Sequence, residues 1–114
     1  MHDTASGVLA WIVQVQDTAR LAVSGERTLT PTPPPNLPYG EVAADTLVAM
    51  GVAVAAARRD GDPLTWVDEQ NYCAALDSWR SVRMDLVGQL GIPRHAVPPS
   101  ADLTSVPSVV VFEA

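Results

Sequence analysis

Apolar residues at Val8, Ile12, Val15, Ala19 and Ala22 recur at steps of four and three, which gathers them on one stripe of a helix over about 6–24. Thr4 or Ser6 suits the cap at its start, and Gly25 suits the left-handed residue just past its end. The same run, VLAWIVQV, is rich in strand formers, and Leu9, Trp11, Val13 and Val15 would share one face of a strand. Short apolar runs read either way, and the helical reading is preferred with the strand kept as its alternative.

A second helix is expected over 40–59. Between Val42 and Ala57 only Asp45, Thr46 and Gly51 interrupt the apolar residues, so this helix is greasy nearly all round and belongs at the centre. It ends with Arg58 and Arg59, where the helix dipole favours cations, followed by Gly61. Ala49, Ala53 and Ala57 form a row of small side chains with Gly51 and Ala55 beside it, where another helix could approach closely.

A third helix is expected over 66–90. Thr65 with Asp68 makes a capping box, and Asp62 followed by Pro63 is a competing start. Its core stripe reads Tyr72, Ala75, Leu76, Trp79, Val82, Leu86 and Leu90. Glu69, Asp77, Arg80, Ser81 and Asp85 fall mainly opposite, with Asp77 and Arg80 spaced for an exposed pair worth a few tenths of a kcal/mol. Gly91 and Pro93 close it.

Between the first two helices the segment TPTPPPNLPYG carries five prolines from Pro31 to Pro38. A polyproline helix rises about 3.1 Å per residue, so 28–38 would reach roughly 34 Å. A twenty-residue helix is about 30 Å long. A hairpin of antiparallel helices needs only a tight turn, so a stiff connection of this reach implies one of two arrangements. Either it returns along the molecule and makes helices one and two parallel, or it carries helix one to a neighbouring subunit. The plain alternative is an exposed loop; the expectation is that the segment lies against a surface of this chain or of others. From Ile92 the chain has four more prolines and then SVVVFEA, in which Val109, Val110, Val111 and Phe112 suit a short strand that needs an edge to pair with. The expected fold is therefore all-α: a three-helix bundle over 1–91 with a proline-rich connection at 25–39, and an extended C-terminal arm over 92–114. The alternative is α+β, with the first segment a strand paired to the last.

With 114 residues the chain is one domain by size and buries roughly two-thirds of its unfolded surface. Seven arginines, no lysine and thirteen carboxylates give a net charge of -6, which argues against a phosphate-backbone partner, so no direct nucleic acid binding is expected. Cys73 is the single cysteine, which precludes an intramolecular disulfide and suggests a reducing compartment. MHDTASG lacks the basic residues that precede a signal peptide's apolar core. The apolar stretch Val42 to Ala57 falls short of the roughly 20 residues that cross a bilayer, so a soluble protein of the cytoplasm or of a virion is expected, with no membrane partner.

Candidate chemistry is sparse. His2 and His95 have no Cys, Asp or Glu at ligand spacing, so no metal is expected. Cys73 has the acidic neighbours Glu69 and Asp77, the opposite of the electropositive setting a nucleophilic thiol requires. Asp68, Glu69 and Asp77 carry no acid–base motif, and the glycines form neither a phosphate loop nor a dinucleotide fingerprint, so no cofactor is expected. Trp11 and Trp66 lie off the main stripes and are candidates for partner contact, as are Pro33, Pro34 and Pro35 in the connection and Val109 to Phe112 in the arm. Packing at the edge of the core is the plainer role for both tryptophans.

These features favour a non-enzymatic assembly protein, a small acidic helical subunit of a homo- or hetero-oligomer. In size and layout such a bundle with a terminal arm resembles the adaptor or connector subunits of tailed-phage virions, which form rings at the head–tail junction. That resemblance covers no sequence motif. It implies that the arm adds a strand to a neighbouring protein. Two other classes remain open: an accessory or activator subunit of an enzyme, forming a one-to-one heteromer, and a small ligand-binding or catalytic bundle with a pocket near Tyr72, Cys73 or Trp79.

Overall fold

The computed structural model describes residues 4–26, 29–34, 38–61 and 65–97. Among the described residues three helices follow one another, α1 (Thr4–Val23), α2 (Pro38–Asp60) and α3 (Thr65–Gln89), and a 3-10 turn (Arg94–Ala96) comes after them. Among the described residues there is no strand, and the class is all-α. The run VLAWIVQV is helical throughout, so the α+β alternative fails at its first strand. Residues 109–112 lie outside the described residues.

Two of the helix ends show why the chain stops where it does. After α1, Gly25 adopts φ 89°, and its N–H donates to the Ala22 carbonyl at 3.0 Å while Glu26 donates to Leu21 at 3.0 Å. After α3, Gly91 at φ 66° repeats the pattern, with Gly91 donating to Gly88 and Ile92 to Val87. Both are Schellman closures, which occupy carbonyls that would otherwise lack donors and depend on a residue tolerant of positive φ. The second closure also brings Ile92 and Val87, both buried, into the core cluster.

Chain direction follows from close approaches. On α2, Gly40 faces Trp11 of α1, and eleven residues on, Gly51 faces Ala19, Ala22 and Val23. Helices α1 and α2 therefore run the same way. Gly40 also meets Leu86 of α3, while Arg58 near the other end of α2 reaches Glu69, so α3 runs opposite to both. A Cβ at Gly51 would stand 3.2 Å from the Ala22 Cβ and 3.4 Å from the Ala19 carbonyl oxygen, so a side chain there would oblige α1 to give by a few tenths of an ångström. The α2 backbone approaches both other helices, whereas those of α1 and α3 stand further apart and are bridged by long side chains.

One apolar cluster joins the helices: Val8, Ile12, Val15 and Ala19 from α1, Ala44, Leu47 and Val54 from α2, and Tyr72, Leu76, Trp79 and Leu86 from α3. Each fully buried aliphatic side chain contributes roughly 1.5–3 kcal/mol relative to exposure. Two expectations for α3 are corrected. Leu90 lies past the helix end and is exposed, its place in the core taken by Ile92; Val82 is half-buried, and the stripe passes through Arg83 instead.

Helix α2 also exceeds the length read from its apolar run. Its segment Gly40–Asp60 has mean hydropathy 1.5 and is long and apolar enough, by length and composition, to cross a membrane; 44% of that window is buried inside the molecule.

Candidate functional site

Helical spacing places polar atoms inside the core at one point. Gln16 follows Val15 and lies one turn beyond Ile12 on α1, so its amide enters the α1–α3 seam. Trp79 and Arg83 stand one turn apart on α3 and face it. The Gln16 Oε1 accepts from Trp79 Nε1 at 3.3 Å and from Arg83 Nη1 at 2.7 Å, so a single carbonyl oxygen uses both lone pairs across the seam. Arg83 is only 8% exposed. Burial first, and then the neighbouring Arg80, push its guanidinium below the ordinary arginine value.

Two tryptophans extend this cluster. Trp11 of α1 meets Trp79 edge-on, with ring centroids 5.5 Å apart at 73°, the geometry that the aromatic quadrupole favours. The Trp11 Nε1 then donates to the Pro31 carbonyl at 3.3 Å. Pro31, Pro33 and Pro34 are half-buried.

The candidate partner residues fall in different places. Trp11 is buried and belongs to the core just described. Trp66 is the second residue of α3, with its side chain outside the described residues, as are Pro35 and Val109 to Phe112. Pro33 and Pro34 flank the segment held by Trp11. Cys73 is exposed on α3, and His95 is exposed in the 3-10 turn. Among the described residues no group of three His, Cys, Asp or Glu is gathered to hold a metal ion.

Sequence reasoning missed Gln16 and Arg83. The signal was present, since Arg83 falls four residues after Trp79 and three before Leu86, but its charge argued for the surface. Glu69 was also assigned to a solvated face, and it pairs instead with Arg58 at 3.3 Å, both largely shielded. Asp77 and Arg80 do form the expected exposed pair, at 3.4 Å.

Tyr72 completes the set. It is 1% exposed, its hydroxyl has no hydrogen-bond partner among the described residues, and its pKa is pushed up to about 12, chiefly by burial, then by Cys73, with Arg80 opposing. Gln16 accepts from Trp79 and from one Arg83 nitrogen, and the phenol stays protonated at neutral pH, an arrangement suited to fixing how α1 and α3 meet.

Comparison with known proteins gives no match: no family model, no curated protein and no solved structure matches the chain.

Proposed function

We propose that this chain is a non-enzymatic assembly protein, a small acidic three-helix bundle in which the proline-rich connection straps α1 parallel to α2. Its partners are proteins, either copies of itself or subunits of a larger complex. A virion component of the adaptor or connector kind fits this reading, with the cytoplasm or the virion as its location. The C-terminal arm 92–114 is the second fastening, with Val109 to Phe112 adding a strand to a neighbour.

The observation that carries the reading is where apolar surface is left in solvent. Leu29, beside the strap, is 90% exposed, and Val42 and Val52 on α2 are 66% and 48% exposed, while the conspicuous polar side chains Gln16 and Arg83 are spent on the interior. Exposed apolar side chains also stand on α1 (Val13, Leu21) and α3 (Val67, Met84), so several surfaces of the molecule are available for protein contact.

The test is the molar mass of the purified full-length chain by light scattering after size exclusion, beside variants that lack 98–114 or have a shortened 31–35. A defined oligomer, lost or reduced in either variant, is expected. A monomer at every concentration that instead turns over or binds a small molecule would overturn the reading.

A further inference from the structure

Burial along the strap repeats every three residues. Leu29 and Thr32 are exposed, whereas the pairs that follow them, Thr30 with Pro31 and Pro33 with Pro34, are half-buried. That is the period of a polyproline helix, which has three residues per turn, so one edge of the strap faces solvent and two are shielded. Such a helix makes no internal hydrogen bonds, and its carbonyls stay open to an outside donor. Trp11 supplies one, its Nε1 donating to the Pro31 carbonyl at 3.3 Å.

The indole is held in place by groups outside the strap. The Trp79 ring meets it edge-on with centroids 5.5 Å apart. Gly40 leaves room for its far end, since a Cβ there would stand 3.0 Å from the Trp11 Cη2. A fixed aromatic ring that combines an apolar body with one N–H donor is what grooves for proline-rich segments are built from.

We infer that Trp11 and the surface around it form a polyproline-binding site, that residues 30–34 occupy it as a tethered ligand, and that a proline-rich segment of a different protein takes their place. The inference rests on the assembly reading and gives its partner a chemistry. A second copy is a poor occupant, because its strap is identical to the tethered one, whose effective concentration is on the order of millimolar. The replacing segment must therefore bind better in itself. The burial pattern allows this at Thr30, a shielded position where proline would be stiffer and would lose less entropy on docking. The favoured ligand is thus two proline pairs separated by one exposed residue. Until it binds, the chain's own strap lowers a partner's apparent affinity by the fraction of molecules in which the site is open.

Two peptides are the probes: LTPTPPPN, which repeats residues 29–36, and the same peptide with proline in place of Thr30. Each is titrated into isotope-labelled full-length chain, both wild type and an open variant in which 29–34 is replaced by glycine and serine. The readout is the indole N–H resonance of Trp11, identified by its loss in Trp11→Phe. In the open variant this resonance is expected to leave its wild-type position and to return as peptide binds. The open variant binds at least about tenfold more tightly than the wild type, and the peptide with the added proline binds best. Trp11→Phe in the open variant weakens binding at least about fivefold, and a peptide with alanine for every proline does not bind. Circular dichroism checks that each variant is folded. Should the open variant fail to fold, Pro33→Ala with Pro34→Ala loosens the strap more gently and is titrated in the same way, with binding again tighter than in the wild type.

A folded open variant that leaves both peptides unbound, equal affinity in wild-type and open chains, or binding untouched by Trp11→Phe would each overturn the inference. Unbound peptides beside a defined oligomer of the full chain would overturn it and leave the assembly reading standing. Bound peptide on a chain that stays monomeric upholds it and confines assembly to a different protein.

Discussion

Replacing Gln16 with alanine is the most informative single perturbation of the interior. The substitution removes the one oxygen that accepts from Trp79 Nε1 at 3.3 Å and from Arg83 Nη1 at 2.7 Å. A buried neutral donor deprived of its acceptor costs about 1–3 kcal/mol, and a hydrogen bond to a charged group is worth about 1.5–3. Because both donors sit in the core, the expected loss is about 3–5 kcal/mol. A domain of this size has about 5–15 kcal/mol in all, so the folded-to-unfolded ratio falls by about two to nearly four orders of magnitude and the melting temperature by roughly 12–20 °C. Urea denaturation followed by tryptophan fluorescence measures it, with the midpoint lowered and the slope unchanged. The double substitution Gln16→Leu with Arg83→Met removes donor and acceptor together and should recover most of the loss, since buried polar groups replaced by apolar ones of similar size are often tolerated. A loss below about 1 kcal/mol for Gln16→Ala, or a double variant worse than Gln16→Ala, would refute the assignment of this cluster as the clamp between α1 and α3.

Gly51→Val should lose about 2–3 kcal/mol in the same assay, because the added atoms meet Ala22, Val23 and the Ala19 carbonyl, whereas Gly88→Ala, with nothing within 4 Å of the added Cβ, should gain about 0.5–1. Tyr72→Phe should be neutral or stabilising at pH 7, as the hydroxyl it removes has no hydrogen-bond partner among the described residues. The folded pKa of Tyr72, about 12, lies above its unfolded value of 10.0, so its contribution is complete below pH 10 and is lost as pH rises to 12; at about 1.4 kcal/mol per pKa unit that is on the order of 2–3 kcal/mol, and Tyr72→Phe should flatten this part of the stability profile. Trp11→Phe deletes the bond to the Pro31 carbonyl, and limited proteolysis should show faster initial cutting within 29–34, with no such change if the strap is held elsewhere.

Much of the helical layout was legible along the chain. The three-four spacing of Val8, Ile12, Val15, Ala19 and Ala22 marks a face that is buried almost completely, and Gly25, Gly61 and Gly91 stop the helices at the expected places. These are local properties: a stripe is set by 3.6 residues per turn, and a left-handed closure by the residue that tolerates it. What spacing could not rank was a charged residue on an apolar stripe. Arg83 and Val82 are neighbours at the edge of the same face, and desolvation alone favours burying the valine.

That choice was made by tertiary structure. Arg83 is buried because Gln16, 67 positions away in sequence, supplies the acceptor that makes its burial tolerable. Trp11 is interior because Trp79 and Pro31 provide a ring edge and a carbonyl at the same point in space. The sequence by itself marked three helical segments and, to within two residues, their bounds. Only the tertiary structure decided which polar groups are enclosed and which face of α2 is left to solvent, because both depend on groups brought together from distant parts of the chain.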